Sequence, residues 1–305
     1  MTYIKDIKNI VSKHTKSSCN INIEPIGNHE IGRHLVYKTE EGKNKYVFKS
    51  YYRNDKRERE LNSLEFLKNC DVNVPKVIDF GEYNNHQWIL MEYIDGEVFE
   101  HIYLNLDMHS KLKLFSNLGE CLGKIHSYKI FDYALDWNKS IRKEEFKLNK
   151  IKKFEERVIE IEKQNSPYKE LLFSIMEEIR KNFEELFSIE RFRFTHNDFD
   201  GRNVLVKSEK GVYIVQAIID FEQSYPDDYC NDLANLYFKY FMENKDYEKA
   251  FLHGYNKYMT LDNKFYDILR IYLMLMIVEH CSWSYEKAND YYMENIEFLK
   301  RFLIK

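Results

Sequence analysis

Residues Thr195–Phe221 read THNDFDGRNVLVKSEKGVYIVQAIIDF, and this stretch decides the fold. It contains an HxD motif ending at Asp198, then Asn203, then two apolar runs separated by a Lys-Gly turn, and finally Asp220. Apolar runs on either side of such a turn predict a β-hairpin. We therefore expect one hairpin to carry Asn203 at its start and Asp220 at its end, with Asp198 shortly before it.

Three oxygen-bearing side chains in this order suit phosphoryl transfer, which needs an acceptor hydroxyl held in line and Mg²⁺ on the nucleotide phosphates. Asp198 is predicted to accept the proton of the hydroxyl. Asn203 and Asp220 are predicted to bind Mg²⁺, a hard cation that prefers oxygen ligands. A lone HxD motif is common, and His196 could simply cap a turn. The complete order of motif, hairpin and Ile-Asp-Phe favours the catalytic interpretation.

The composition limits the class of protein. A chain of 305 residues allows two domains or one large two-lobed domain. Apolar residues make up 44% and aromatic residues 16%, which excludes a disordered chain. Only 10 Gly and 4 Pro exclude collagen-like and low-complexity architectures. The net charge of −4, without a basic stripe, argues against nucleic acid as a partner.

The cysteines and apolar runs bear on the compartment. Five widely spaced cysteines without a CxxC motif argue against a disulfide framework or a zinc site, and for a reducing cytoplasm. The charged, amphipathic N-terminus is unlike a signal peptide. The longest apolar run, Ile271–Val278, is too short for a bilayer, which needs about 20 residues. We therefore expect a cytoplasmic protein without membrane association, and this run in a buried helix.

The order of predicted elements indicates an α+β protein with two lobes, a small antiparallel β-sheet with one main helix and a large, mostly helical lobe. The predicted strands lie at residues 21–27, 35–39, 46–52, 76–80, 87–93, 203–207 and 213–219. The predicted helices lie at residues 1–14, 57–70, 112–125, 143–163 and 167–187, and from 232 to the end. We expect a nucleotide-binding lobe at 1–95 and a helical lobe with the catalytic loop and acceptor site at 96–305, in which 131–190 form a helical insertion.

Lys49 stands in an otherwise apolar strand and, taken alone, is more typical of an exposed strand lysine. The helix that follows is predicted to turn three leucines inward: Leu61, Leu64 and Leu67. Glu60 shares their face by its spacing, and a carboxylate facing a core needs a cation. Lys49 is the candidate, and such a pair would hold its ammonium against nucleotide phosphates. Glu58 and Glu65 are less well phased but remain alternative partners.

The chain resembles the aminoglycoside phosphotransferase and choline kinase superfamily, which has a protein-kinase-like fold, over nearly its whole length. Five residues fall where that family places its functions: Lys49, Glu60, Asp198, Asn203 and Asp220. The HNDF motif and the RERELNSLEFL helix are similar to the aminoglycoside 2''-phosphotransferases. IDFE favours choline and ethanolamine kinases, and the segment WSYEKANDYYMENIEFL resembles generic bacterial members.

The departures from protein kinases point to a small acceptor. A protein kinase would show DFG, a long activation loop and APE, whereas Asp220 is followed by Phe221-Glu222 and then, after a short segment, by Asp232. Asp232, in the sequence NDLAN, resembles the family's buried aspartate that braces the catalytic loop. So short a segment leaves no platform for a peptide substrate.

The resemblance also implies a nucleotide site. In the kinase arrangement, the Glu92 carbonyl and the Ile94 N–H would bind adenine. The apolar residues predicted to enclose the ring are Ile26, Val47, Leu205 and Ile219. The loop from Gly27 through Gly32 to Arg33 is not GxGxxG, and an ordinary hairpin loop is as good an interpretation as a phosphate loop. ATP and GTP both remain open as the phosphoryl donor, with Mg²⁺ as the cofactor.

The family places the acceptor between the catalytic loop and the C-terminal helices. The candidate lining residues are Asp200, Glu222, Asp227, Asp228, Glu279, Trp283, Glu286 and Asp290. Residues after Gly96 carry the net negative charge of the chain, which suits a cationic acceptor such as an aminoglycoside. We expect a monomer or weak homodimer.

Three alternatives are kept. A choline-type kinase would bind a quaternary ammonium in an aromatic cage, for which the chain offers Trp283, Tyr285, Tyr291 and Tyr292. A nucleotide-binding pseudokinase is disfavoured because degenerate kinases usually lose one of the catalytic positions, which are all present here. A purely structural helical protein is hard to reconcile with those positions occurring in order.

Overall fold

The computed structural model describes residues 2–14, 21–27, 29, 34–137, 139–187 and 192–304. Its α-helices are α1 (Thr2–Val11), α2 (Asn54–Leu67), α3 (Phe99–Ile102), α4 (Met108–Tyr128), α5 (Lys143–Glu162), α6 (Lys169–Lys181), α7 (Phe183–Leu186), α8 (Cys230–Leu236), α9 (Lys245–Tyr255), α10 (Phe265–Lys287) and α11 (Asn289–Ile304). Its strands are β1 (Asn22–Ile26), β2 (Leu35–Glu41), β3 (Asn44–Ser50), β4 (Val77–Tyr83), β5 (His86–Glu92), β6 (Glu97–Val98), β7 (Ile130–Phe131), β8 (Ala134–Asp136), β9 (Lys139–Ile141), β10 (Phe192–Thr195), β11 (Val204–Glu209), β12 (Val212–Ile218) and β13 (Tyr225–Asp227).

Short helical turns complete the described part. There are 3₁₀ turns at Tyr103–Asn105, Gly201–Asn203 and Phe221–Gln223, and a π-helix at Tyr237–Phe241. Cys19 and most of the candidate phosphate loop, including Gly32 and Arg33, lie outside the described residues.

The chain divides into two compact units, one formed by residues 1–114 and 201–224 and the other by residues 115–200 and 225–305. The first unit therefore joins the hairpin β11–β12 and the 3₁₀ turn after it to the N-terminal sheet. The lobe boundary expected at 95/96, with its helical insertion, stays a prediction.

The first unit is built on an antiparallel sheet in the order β1-β2-β3-β5-β4. Successive side chains of a strand point to opposite faces, so Phe48 and Lys49 of β3 lie on different sides. Phe48 stacks on Trp88 of β5 and packs under Ile7 and Ile10 of α1. Lys49, opposite Ile89, lies on the other face, towards α2. The sheet is thus covered by α1 on one face and α2 on the other.

The inner face of α2 is more polar than the sequence indicates. Its buried residues are Lys56, Glu60, Ser63, Leu64 and Leu67. The prediction that Leu61 shares this face is wrong, since Leu61 is only half-buried. The face follows the spacing of residues 56, 60, 63 and 67, and Leu61 is turned away from it by about 100°.

The second unit contains helices and a small sheet in the order β13-β10-β7. Neither β10 nor β13 is predicted from the sequence, because each is short. The single helix expected at 167–187 is two helices, α6 and α7. Asn182 separates them with φ −103° and ψ 6°, and its side chain donates a hydrogen bond to the Glu178 carbonyl.

Within the second unit, α9 and the part of α4 after Leu114 cross at unusually short range because glycines face each other. A methyl group on Gly254 would lie 1.9 Å from the Ser116 carbonyl oxygen. A methyl group on Gly119 would lie 2.0 Å from the Phe251 carbonyl oxygen. Only glycine permits this approach of the two backbones.

The run Ile271–Val278 lies in α10 and is largely buried, as predicted, with Met274 and Ile277 fully enclosed. Among the residues that the structure describes, no helix has the length and apolar character needed to cross a membrane.

Candidate active site

Lys49 is the centre of a buried ionic cluster in the first unit. Its Nζ lies 2.7 Å from Glu60 Oε2, 2.6 Å from Asp220 Oδ1 and 3.0 Å from Glu222 Oε2. The Tyr51 hydroxyl donates a second hydrogen bond to Glu60, at 2.5 Å. The predicted contact between Lys49 and Glu60 is therefore confirmed.

The alternative partners of Lys49 are occupied elsewhere. Glu58 pairs with Arg57, and Glu65 lies on the surface beside Lys68. Burial by itself lowers the pKa of the Lys49 ammonium, but the carboxylates of Asp220 and Glu60 outweigh it and raise that pKa well above its ordinary value. Lys49 is thus charged throughout the physiological range.

Asp220 occupies a left-handed backbone conformation, with φ 68° and ψ 60°. Such a conformation is uncommon for a residue other than glycine and persists only where the surroundings hold it. On one side, the Ile219 N–H donates to the Asn203 carbonyl oxygen at 3.0 Å. On the other side, Phe221 is fully buried at the start of the 3₁₀ turn. The chain is therefore held on both sides of Asp220.

The same backbone contact brings the predicted metal ligands close together. Asn203 is buried at the end of its 3₁₀ turn, while the Asp220 side chain keeps 26% of its surface exposed. Ligand oxygens of Glu60, Asp220 and Glu222 lie within 4.8 Å of one another. These three carboxylates surround the Lys49 ammonium, so Asp220 with the amide oxygen of Asn203, both hard oxygen donors, is the pair that fits Mg²⁺.

Glu222 was expected beside the acceptor. The structure places it in the Lys49 cluster, where it also faces His34 Nδ1 at 3.2 Å. Its carboxylate therefore has a cationic partner within the chain. Contact of Glu222 with an acceptor stays a prediction.

The residues proposed to enclose the nucleotide base all belong to the first unit. Each of the four is half-buried, as the wall of an accessible site would be: Ile26, Val47, Leu205 and Ile219, and so is Ile94, whose N–H is predicted to bind the base. Glu92, at the end of β5, is exposed. A Cβ on Gly96 would come within 3.3 Å of Leu205 Cβ and 3.0 Å of the Val206 carbonyl oxygen. The segment after β5 thus packs closely against β11.

The loop that carries Asp198 belongs to the second unit and follows β10. Asp232 Oδ2 accepts the His196 N–H at 2.7 Å, and Asp232 Oδ1 accepts the Asn197 N–H, also at 2.7 Å. Asn197 has φ 62°. Phe199 is fully buried, whereas Asp198 between them is half-buried. The backbone on both sides of Asp198 is thus fixed, and Asp232 braces it as the resemblance implies.

His126 extends this bracing network into the helices. Its Nε2 lies 3.0 Å from Asp232 Oδ2, and its Nδ1 lies 2.8 Å from the Tyr255 hydroxyl oxygen. All three side chains are fully buried. The sequence does not single out His126, because a lone histidine on an apolar helix face carries no signal of its partner.

Three of the aspartates predicted to contact the acceptor are buried in the second unit. Asp227 is fully buried and paired with Lys150 of α5 at 2.5 Å. Asp228 accepts the Cys230 N–H at 2.9 Å, and burial raises the pKa of its carboxyl to about 6. Asp200 is 3% exposed. Their contact with an acceptor stays a prediction.

The remaining acceptor candidates lie on α10 and α11 and are more accessible. Glu279, Trp283 and Glu286 follow one another at helical spacing on α10, and both glutamates are exposed. Arg157 of α5 lies 3.4 Å from Glu279. Trp283 packs against Tyr291 of α11 with ring centroids 5.6 Å apart and ring planes tilted by 30°, and Asp290 beside it is exposed.

Comparison with known proteins decides the family. The model of the phosphotransferase enzyme family matches residues 23–263. The chain belongs to this family. It is therefore a phosphotransferase, as the sequence predicts. A curated relative, KEOPS complex subunit Bud32 of Pyrococcus abyssi, is 34% identical over 86 residues. That match covers 28% of this phosphotransferase and only 38% of the relative.

Several solved structures of similar fold are named as aminoglycoside phosphotransferases. The GDP complex of aminoglycoside 2'-phosphotransferase-IIIa has a TM-score of 0.70 and 15% identity, covering 99% of this chain and 97% of that one. The apo form of a thermostable mutant of APH(4)-Ia has a TM-score of 0.69 and 13% sequence identity, covering 98% of this chain and 97% of that one. ADP-bound APH(2'')-Ib has a TM-score of 0.62 and 19% sequence identity, covering 97% of each chain. The predicted protein-kinase-like α+β fold is confirmed.

Proposed function

We propose that this phosphotransferase is a nucleotide-dependent kinase that transfers the γ-phosphoryl group of ATP or GTP to a hydroxyl of a small cationic acceptor. The observation that carries the proposal is the Lys49 cluster. It holds one ammonium against Glu60 and Asp220, next to Asn203, in the first unit. An ammonium for phosphates and oxygen ligands for a cation are what phosphoryl transfer requires.

Each residue then has a distinct role. Lys49 would donate hydrogen bonds to the phosphates, and Glu60 would keep its ammonium in place. Asp220 and Asn203 would hold Mg²⁺, which when bound neutralises charge on the phosphates. Asp198, on its braced loop, would orient the acceptor hydroxyl and accept its proton.

The identity of the nucleotide rests on the apolar residues around the segment after β5. Half-buried apolar side chains suit a flat base, and backbone groups of Glu92 and Ile94 would bind its edge. The related structures include complexes named for GDP, ADP and ATP. Both ATP and GTP are therefore candidate phosphoryl donors.

The acceptor we favour is an aminoglycoside. Exposed Glu279, Glu286 and Asp290 present negative charge on α10 and α11, which attracts ammonium groups. The structures of similar fold are named as aminoglycoside phosphotransferases, one of them as a ternary complex with streptomycin and ATP. Exposed carboxylates give up little to meet a ligand, since even the pair of Glu279 with Arg157 is a surface ion pair worth about 0–1 kcal/mol, so they support this choice better than the buried Asp227 does.

A second candidate is a choline- or ethanolamine-type kinase. The tilted ring pair Trp283 and Tyr291 offers aromatic faces beside exposed carboxylates. A cation over such faces gains roughly 0.5–2 kcal/mol, which suits a quaternary ammonium. Loss of activity in Trp283→Ala that exceeds the loss in Glu279→Gln would favour this candidate.

The deciding experiment is an ADP- and GDP-release panel with aminoglycosides, choline, ethanolamine, amino sugars and hydroxylated amino acids as acceptors. We expect aminoglycoside turnover with MgATP or MgGTP, and a rise in acceptor KM with salt as exposed ion pairs are screened. Glu279→Gln should raise the acceptor KM and leave the nucleotide KM unchanged. Choline turnover without aminoglycoside turnover would select the second candidate, and turnover of a neutral sugar would contradict the charge argument.

A binding experiment tests the proposed metal site separately. Asp220→Ala should weaken binding of MgATP or MgGTP far more than binding of the metal-free nucleoside, which keeps its base contacts. Equal losses for both ligands would mean that Asp220 supports the fold rather than the metal. We place this activity in the cytoplasm, where both nucleotides are available, and expect it from a monomer or weak homodimer.

A further inference from the structure

The polar inner face of α2 is aligned with the residues that follow Asp220. Lys56 Nζ donates a hydrogen bond to Gln223 Oε1 at 2.5 Å. One turn along the helix, Glu60 holds Lys49, which in turn contacts Asp220. Close to the next turn, Ser63 Oγ lies 3.3 Å from the Ser224 carbonyl oxygen. Lys56 and Ser63 therefore contact segment 220–224 directly, and Glu60 between them reaches it through Lys49.

Lysine is an unusual residue at position 56, because this position is buried on the inner face of α2. It is 4% exposed, and its hydrogen-bond acceptor is the neutral amide of Gln223 rather than a carboxylate. Burying an ammonium is costly unless it is paired. Burial and the neighbouring Arg59 lower the pKa of Lys56 to about 8, against the opposing effect of Glu222. A leucine or methionine would fill this space without that cost.

The segment that Lys56 contacts is one that needs support. Asp220 has a left-handed backbone, and a single 3₁₀ turn, Phe221–Gln223, follows it. Both Asp220 and Glu222 direct their carboxylates at Lys49. A rotation of this turn would move both carboxylates away from the ammonium. The contact with Gln223 lies at the far end of the turn, where it opposes such a rotation.

We propose that Lys56 is a positioning residue for phosphoryl transfer. By holding Gln223 it fixes the turn Phe221–Gln223, and thereby keeps Asp220 and Glu222 on Lys49. The catalytic part of this inference rests on the proposed function, whereas the mechanical part concerns the ligand-free protein. The competing interpretation is that Lys56 contributes only to general stability, with no particular effect on segment 220–224.

Hydrogen exchange in the ligand-free protein tests the mechanical part. The Ser224 N–H donates to the Phe221 carbonyl oxygen at 3.1 Å, so its exchange reports whether the turn opens. Lys56→Met should accelerate exchange at residues 221–224 by about tenfold or more, with little change in the strands β3 and β5. Gln223→Leu should do the same with Lys56 intact, which keeps the test valid if Lys56→Met does not fold. Lys68→Met, at an exposed lysine at the end of α2, is the control.

Ligand affinity tests the catalytic part. Lys56→Met should weaken binding of MgATP or MgGTP by about tenfold and leave the affinity for adenosine or guanosine unchanged. The double variant with Gln223→Leu should be little worse than the more affected single variant, because both remove one interaction. Restoring only Lys56 or only Gln223 in the double variant should not recover the affinity for the magnesium nucleotide.

The outcomes separate the two parts. Unchanged exchange at residues 221–224 in both variants overturns the inference, and so does faster exchange throughout the first unit. Faster local exchange with unchanged binding of the magnesium nucleotides overturns the catalytic role. If the unmutated protein binds neither nucleotide, the proposed function fails together with that role, and the exchange result alone decides whether Lys56 holds the turn.

Discussion

Lys49 and Asp220 lie 171 positions apart in the sequence, yet Lys49 Nζ is 2.6 Å from Asp220 Oδ1. One residue lies near the end of β3 and the other follows the hairpin β11–β12. The fold of the first unit therefore places the ammonium predicted to bind phosphates directly on the carboxylate predicted to bind the metal. Neither can be moved without altering the other.

We expect Lys49→Met to raise the KM for the nucleotide and lower kcat, because the phosphates lose their cation and three carboxylates lose a partner. Glu60→Gln should have a smaller effect of the same kind, since Glu60 acts through Lys49. Steady-state kinetics of both variants and the double variant should give a coupling energy of about 0.5–3 kcal/mol. Additive effects would contradict the direct contact between these two side chains.

Asp198→Asn should abolish transfer while leaving nucleotide binding nearly intact. The loop is held by its neighbours, with His196 and Asn197 donating to Asp232 and Phe199 buried, so a change confined to the carboxylate leaves the backbone in place. Loss of the proton acceptor should reduce kcat by about 10²-fold or more. Binding titrations and unfolding curves on the same variant are the control, and retention of most of the turnover would exclude Asp198 from this role.

Gly254→Ala should destabilise the second unit strongly. The added methyl group would lie 1.9 Å from the Ser116 carbonyl oxygen and 2.9 Å from the Glu120 backbone nitrogen, so α4 and α9 must separate. Overpacking of this kind costs about 1–3 kcal/mol, here at its upper end because backbone atoms have to move. Urea unfolding measures the change, with Ser174→Ala on the exposed face of α6 as the matched control. A free energy of unfolding equal to that of the control would show that the crossing is looser than described.

Asp228→Asn should make stability less dependent on pH. Burial raises the pKa of Asp228 from 3.8 to about 6, so between pH 4 and 6 the folded protein keeps a proton that the unfolded chain has released. The free energy of unfolding must then fall as pH rises through this window. Asparagine retains the acceptor for the Cys230 N–H but cannot ionise. Between pH 4 and pH 7, the free energy of unfolding of the unmutated protein should therefore fall by on the order of 2 kcal/mol more than that of the variant. Parallel pH profiles of the two proteins would contradict the raised pKa.

Local sequence patterns suffice for elements whose two faces differ. The strands of the main sheet and the hairpin β11–β12 follow from alternating apolar residues, and the inward direction of Glu60 follows from its spacing to Leu64 and Leu67. The helical period shows which residues share a face, and it places Glu60 on the face that packs against the core. Because a buried carboxylate needs a cation, the lysine on the neighbouring strand, Lys49, is its predicted partner.

Contacts between residues that are far apart in the sequence cannot be predicted from such local patterns. Nothing near Lys56 in the sequence indicates Gln223, which lies 167 positions away, and nothing near Lys150 indicates Asp227. Lys150 therefore looks like one more charge on a solvated helix, and Asp227 like one more acid available to a ligand. Their pairing becomes visible only when α5 and β13 are placed in the same unit.

Asn197 has φ 62°, and its N–H donates to Asp232. This conformation affects how far the HND motif around Asp198 can indicate acceptor specificity. Glycine reaches this backbone region freely, and asparagine is among the few other residues that tolerate it. Asparagine and glycine at position 197 are thus two solutions to one steric requirement, and a swap between them is a backbone substitution with no direct effect on the acceptor. The HND tripeptide therefore carries little information on the acceptor, and the case for a cationic acceptor rests on the exposed carboxylates of α10 and α11.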